Sequence, residues 1–152
     1  MGPFHRRGGY AVFLSEIDAE HKAMFKLVDE LAAALHSRAR GARGKALESL
    51  VAYLEEHFAH EERLMKESRY DALEWHKGQH DGARRKAKRL IHRIEQGDRK
   101  AGAELIEYLV SWLRSHVLVT DRMMAAYLRN FARARAALGS GMGPRFARSL
   151  AG

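Results

Sequence analysis

The chain has 152 residues, a net charge of +8 and no cysteine, a length that fits one domain burying about 70% of its unfolded surface. Without cysteine, a disulfide scaffold, a thiolate nucleophile, an iron–sulfur cluster and a cysteine zinc site are all excluded. Prolines are confined to Pro3 and Pro144, which favours helices over a sheet. Much of the positive charge sits at the ends, on Arg6, Arg7, Arg133, Arg135, Arg145 and Arg148. A further run from Arg84 to Arg93 falls on the polar side of a helix, as a solvated face does. No aromatic-interleaved basic segment accompanies these charges, so nucleic acid is not an expected partner. The apolar run Ala11 to Leu14 is too short for a signal core or a membrane span, and the expected location is the cytoplasm.

In chain order, a first helix is expected from about Asp18, read as its N-cap, to about Ser37, with Met24, Phe25, Val28, Leu31 and Leu35 on one side. After the break at Arg40 to Gly44, a second carries Leu47, Leu50, Val51, Leu54, Phe58, Leu64 and Met65, ending before Tyr70. A third carries Leu73, Ala83, Ala87, Leu90 and Ile94 and stops at Gln96-Gly97-Asp98. A fourth carries Leu105, Leu109, Leu113, Val117, Met124 and Leu128, with a continuation towards Leu138. Four amphipathic helices on short loops bury their stripes as an all-α, up-down-up-down four-helix bundle. The expected organisation is an N-terminal arm at 1–15, a bundle at 16–130 and a basic C-terminal extension at 131–152.

Metal-ligating residue types interrupt all four apolar stripes. His21 lies one turn from Met24 and Phe25; His57 and Glu61 continue the series 47, 50, 51, 54; His76 and His80 sit between Leu73 and Ala83; His116 follows Leu113 by three. Residues four apart share a helix face, so His57/Glu61 and His76/His80 are chelating pairs. Asp121, five residues beyond His116, is about 140° round an ideal helix and is not selected by spacing. One such histidine alone reads as a satisfied core residue. Five histidines and two carboxylates in one core would each cost about 1–3 kcal/mol unpartnered, and metal coordination removes that cost. His5, His36, His60 and His92 fall outside the set and read as surface or boundary residues. His60-Glu61 begins the zinc-protease pattern, but Leu64 stands where its second histidine is required.

Two octahedral irons held by this set, with bridging carboxylates and one oxo or hydroxo bridge, leave one open position. That suits a single diatomic ligand and not a chelating substrate. Ferritin-like di-iron enzymes use mainly glutamates with paired Glu-x-x-His motifs; the nitrogen-rich set here is better matched to holding O2 than to breaking it.

The segments IDAEHKAMF, YLEEHFAHEERLM, RYDALEWHKGQH and WLRSHVLVTD resemble, in order and spacing, those of the bacterial hemerythrins across about residues 16 to 128. The resemblance implies two non-haem irons (Fe2+/Fe3+): one held by His76, His80 and His116, the open one by His21 and His57, with Glu61 and Asp121 bridging. It also implies an O2 pocket lined by Met24, Phe58, Trp112, Leu113 and Val117. The expected role is reversible O2 binding for storage, delivery or buffering, not enzymic turnover, with azide or NO as further small ligands. The alternatives are an O2 or redox sensor acting on a protein partner through the C-terminal tail, and a reductase of NO or peroxide. The chain departs from the family at Phe13, which occupies an expected glycine with no tryptophan before it, and in its tail, where Phe146 and Leu150 are candidates to dock on the bundle or a partner.

Overall fold

The structure is a computed structural model that describes residues 9–139; His5, Arg145, Phe146, Arg148 and Leu150 lie outside the described residues. All regular structure among them is helical: α1 Ser15–His36, α2 Ala42–Glu67, α3 Leu73–Glu95, α4 Ala101–Ser115, a π-helical turn His116–Asp121 and α5 Arg122–Ala137. The last three run on without a break, so the fold has four rods. Helix α1 packs on α2 and α4, and α3 packs on α4 and α2, which closes the up-down-up-down bundle. The final helix extends to Ala137, with Ala132 buried. No helix among the described residues is long and apolar enough to cross a membrane.

The core is the set of stripes read from the sequence. Ile17, Met24, Phe25, Val28 and Leu31 face Leu50, Leu54, Phe58, Leu64 and Met65, with Leu90 and Ile94 and then Leu105, Leu109, Leu113, Val117 and Leu128 completing it. Each such side chain contributes about 1.5–3 kcal/mol on burial. Val51, expected in the second stripe, is exposed at its edge. Helix α3 stops where the Gly97 amide (φ 83°) bonds the Ile94 carbonyl and the Asp98 amide bonds the Arg93 carbonyl, a left-handed cap that glycine adopts without a Cβ penalty.

Asp18 does not cap α1, which begins three residues earlier at Ser15. Its carboxylate instead turns back to accept the Val12 amide at 2.8 Å and the Phe13 amide at 3.1 Å, fixing the arm that leads into the helix. The arm is held from the other side too: Arg122 donates to the Ala11 and Gly9 carbonyls, Arg129 to the Val12 carbonyl and Arg114 to the Tyr10 hydroxyl. Val12 and Leu14 are thereby buried.

Phe13, where the family resemblance implies a glycine, has φ 65° and an exposed side chain. The backbone there is left-handed, which costs a residue with a Cβ about 1–2 kcal/mol. The Arg129 guanidinium over its ring, 5.8 Å from the centroid, returns about 0.5–1 kcal/mol. Phe13→Gly is expected to raise stability by up to about 1 kcal/mol, a rise of a few degrees in Tm; an unchanged or lower midpoint in thermal denaturation would refute the strain.

Candidate metal centre

Seven polar side chains from the four rods meet in the middle of the bundle: His21 of α1, His57 and Glu61 of α2, His76 and His80 of α3, and His116 and Asp121 of the π turn, all buried. Their ligand atoms fall into two groups. The first holds His76, His80, His116, Glu61 and Asp121; the second holds His21, His57, Glu61 and Asp121. Both carboxylates belong to both groups. Glu61 Oε2 lies 3.4 Å from His76 Nε2 and 3.2 Å from His80 Nε2, while its Oε1 lies 3.5 Å from His57 Nε2. Asp121 Oδ1 lies 3.2 Å from His76 Nε2 and 3.0 Å from His116 Nε2, and its Oδ2 lies 3.1 Å from His21 Nε2.

Asp121 reaches this position because the helix changes type. An α-helix would carry it well away from His116, but the six residues His116–Asp121 form a π turn. Its i→i+5 bonds put more residues in each turn, so a spacing of five brings both side chains to one face.

The outward nitrogens of three rings fix which nitrogen faces inward. His57 Nδ1 donates to Glu20 at 2.7 Å, His80 Nδ1 to Glu62 at 3.0 Å and His116 Nδ1 to Gln79 Oε1 at 3.0 Å. Carboxylate and amide oxygens only accept, so the neutral rings turn bare Nε2 lone pairs towards the centre. His116 Nε2 is 3.1 Å from His80 Nε2 and 3.2 Å from His76 Nε2. Lone pairs so close repel unless a cation lies between them. Nitrogens about 2.1 Å from one ion and at right angles about it stand roughly 3 Å apart. His21 Nε2 and all four carboxylate oxygens of Glu61 and Asp121 are also buried with no hydrogen-bond partner, each at a cost of about 1–3 kcal/mol. The donor set therefore fits two cations sharing two carboxylates.

Charge compensation within the protein is partial. Burial and the neighbouring Asp121 push the Glu61 carboxyl up, but His57, His76 and His80 hold it well below the usual range. Burial likewise opposes ionisation of Asp121, which His116, His21 and His76 outweigh. Burial works against protonation of His76, yet Asp121 and Glu61 raise it to about 9. Burial lowers His116.

Around the cluster, Phe58 stacks on His80 at 4.0 Å and Trp112 on His116 at 4.2 Å, with the two aromatic rings edge to face at 5.6 Å. These two of the five expected pocket residues thus cover the three-histidine group. They also form the floor of a groove of about 730 Å3 between α2 and α3, walled by Leu47, Val51, Leu54, Ala83, Ala87 and Ile91. Met24, Leu113 and Val117 are fully buried in the surrounding core.

Of the histidines set aside in the sequence, His36 and His92 are exposed. His60 is not a bystander: its Nδ1 lies 2.6 Å from Glu20 Oε1. Glu20, Glu62 and Gln79 were not apparent from the stripes, since each acts across a helix interface. The one available signal was two facing pairs, Glu16/Glu20 on α1 and His57/His60 on α2.

The sequence of residues 12–128 matches the hemerythrin HHE cation binding domain. The chain is 32% identical over 111 residues to a bacteriohemerythrin of Ralstonia nicotianae, covering 73% of this chain and 78% of that one. It is 29% identical over 119 residues to a myohemerythrin of Theromyzon tessulatum, covering 78% and 88% respectively. A solved structure of a phenylalanine-substituted mutant superposes with a TM-score of 0.71 at 23% identity, over 80% of this chain and 95% of the other. Four helical rods, two ligand groups joined by shared carboxylates and a domain match across most of the chain place it in the hemerythrin HHE cation-binding family.

Proposed function

We propose that the chain holds two non-haem iron ions and binds O2 reversibly, as an oxygen-storing or oxygen-buffering protein and not as an enzyme. The observation that carries this reading is the pair of carboxylates, each turning one oxygen to one ligand group and its other oxygen to the second, alongside relatives named bacteriohemerythrin and myohemerythrin. In this assignment His76, His80 and His116 hold one ion, His21 and His57 the other, and Glu61 and Asp121 both. Two ferrous ions held by these residues would supply the electrons for reversible O2 uptake.

The rest is done by the chain. Unequal numbers of histidines leave the His21/His57 ion with fewer protein ligands, which makes it the position for an added diatomic. Met24, Leu113 and Val117 exclude water from the core, and Phe58 and Trp112 shield the imidazoles of the other ion. A dry setting limits proton-driven loss of the bound ligand. Apart from the seven cluster residues, the buried polar side chains among the described residues are Ser68 and Thr120. Their hydroxyls bond the Met65 carbonyl and Gln79.

Metal analysis and optical spectra cycled between argon and O2 test the reading. The expected outcome is two irons per chain and a charge-transfer band that appears with O2 and disappears under argon. Irreversible oxidation, or turnover of NO or peroxide, would overturn it. In the same assay His57→Ala is expected to abolish the O2-dependent band, while His92→Ala leaves it unchanged; equal effects would contradict the ligand assignment.

A further inference from the structure

The three partners that hold cluster histidines from outside, Glu20, Glu62 and Gln79, are not equivalent. On the three-histidine side, His80 donates to Glu62, whose Oε1 also receives Arg84 at 3.1 Å. Arg84 carries a permanent positive charge that it shares with Glu55 at 3.0 Å and Asp81 at 2.8 Å, so it offsets part of the charge of the Glu62 carboxylate. His116 donates to the neutral amide of Gln79, which also accepts the Thr120 hydroxyl. On the two-histidine side, His57 donates to Glu20, and the second oxygen of that carboxylate takes His60 Nδ1 at 2.6 Å. His57 is buried, while Glu20 and His60 are only partly so, at 24% and 12% side-chain exposure.

From this asymmetry we infer that Glu20, held in place by His60, is the positioning residue of the two-histidine metal position. It orients the His57 ring so that Nε2 is the atom offered to the ion, and it does so for that position alone. The inference rests on the two-ion reading above.

Geometry supports the assignment in three steps. Glu20 adjoins His21 in sequence and lies on α1, while His57 and His60 lie one turn apart on α2, so the carboxylate spans the helix interface. Both of its oxygens are engaged, which removes the freedom of a carboxylate held by one bond. The ring of His57 has no other hydrogen-bond partner on its outer side, so without Glu20 nothing selects the tautomer. A carboxylate on the outer nitrogen of a metal-bound imidazole also raises its donor strength, and losing such a partner typically weakens the metal by about 10–100-fold. Because Glu62 is offset in part by Arg84 and Gln79 is uncharged, this anionic support is weighted towards the ion with fewer protein ligands.

The test uses the full chain loaded with Zn(II), which histidine and carboxylate sites accept and which is inert to O2. Chelator competition measures the affinity of each equivalent, and His57→Ala identifies the one that depends on His57. Glu20→Ala is expected to weaken that equivalent by about 10–100-fold and leave the other unchanged. Glu20→Gln, whose amide oxygen still accepts from Nδ1, is expected to recover most of the loss, and His60→Gln to give a smaller loss in the same equivalent. Nitrogen-15 ring spectra should show the His57 Nδ1–H signal in the unmodified chain and in Glu20→Gln, but not in Glu20→Ala. Should Glu20→Ala fold poorly, the Glu20→Gln and His60→Gln measurements carry the decision through their selectivity for one equivalent. Both equivalents unaffected, or both weakened equally, would overturn the inference while leaving the two-ion reading intact. Fewer than two equivalents in the unmodified chain would overturn both.

Discussion

Glu61→Gln should cost the chain both of its metal equivalents, whereas His80→Ala should cost it mainly one. The difference comes from how the ligand atoms are shared. His80 Nε2 belongs to the three-histidine group alone, while Glu61 places Oε2 among His76 and His80 and Oε1 beside His57. An amide keeps the size of the side chain but gives up the negative charge and turns an N–H into one of the two groups. Asp121→Asn should act in the same way, for its oxygens divide between His76 and His116 on one side and His21 on the other. For either carboxylate the loss should exceed about 100-fold at both positions, above the range seen when only an outer partner of a ligand is removed. Chelator competition with two resolved equivalents reads this directly. A Glu61→Gln chain that still bound one ion at full strength would show that the carboxylate does not bridge.

The second large effect is on stability. An ion present at 1,000 times its dissociation constant adds about 4 kcal/mol to the folded state, and about 1 kcal/mol shifts the midpoint of a domain of this size by roughly 2–4 °C. Stripping metal should therefore lower Tm by about 10 °C or more. The metal-free chain should also respond to pH in a characteristic sense. His76 is raised from 6.5 to about 9 by Asp121 and Glu61 against the opposing effect of burial. Its contribution is complete below pH 6.5 and is lost as pH rises through about 9. His57 is raised as well: burial opposes this, but Glu61 and Glu20 prevail. His116, lowered by burial, works in the opposite sense but below pH 6.5. Glu61 and Asp121 are held low, so their contribution disappears only on acidification. Between pH 6.5 and 9 the metal-free Tm should fall. Over the same interval the gain in Tm on adding metal should grow, because an ion competes with the proton for His76. Parallel melting curves with and without chelator measure both slopes; a metal-free chain that gained stability from pH 6.5 to 9 would contradict the arrangement of charges.

Most of the bundle was legible because helical spacing is a local property. The stripes through Met24, Leu54, Leu90 and Leu109 each require only that the helix exist, and His21, His57, Glu61, His76, His80 and His116 were visible as polar interruptions in those stripes. Asp121 was not, since the 3.6-residue period fails inside a π turn and nothing in His-Val-Leu-Val-Thr-Asp announces the change. Asp18 was misread for a related reason. An acid before an apolar run has the appearance of an N-cap, but the arm gave it two amides to accept and the helix began at Ser15. Phe13 is the opposite case: a glycine expected from related sequences points to a left-handed backbone, and φ is positive there with phenylalanine in place. Glu20, Glu62 and Gln79 escaped because each acts on a histidine of a different helix, and His60 because it acts on Glu20 of α1; contacts between helices leave no periodic mark in either one.

The π turn also has a bearing on which sequence changes the protein can absorb. Val119 projects outward from it with 56% of its surface exposed, while Leu118 is half-buried, so the chemistry at Val119 is nearly free to drift. Losing one residue of the turn would leave the two ligands four apart, a spacing that an ordinary α-helix also brings to one face. The π turn is thus the means by which the chain carries one surplus residue between His116 and Asp121 without parting them.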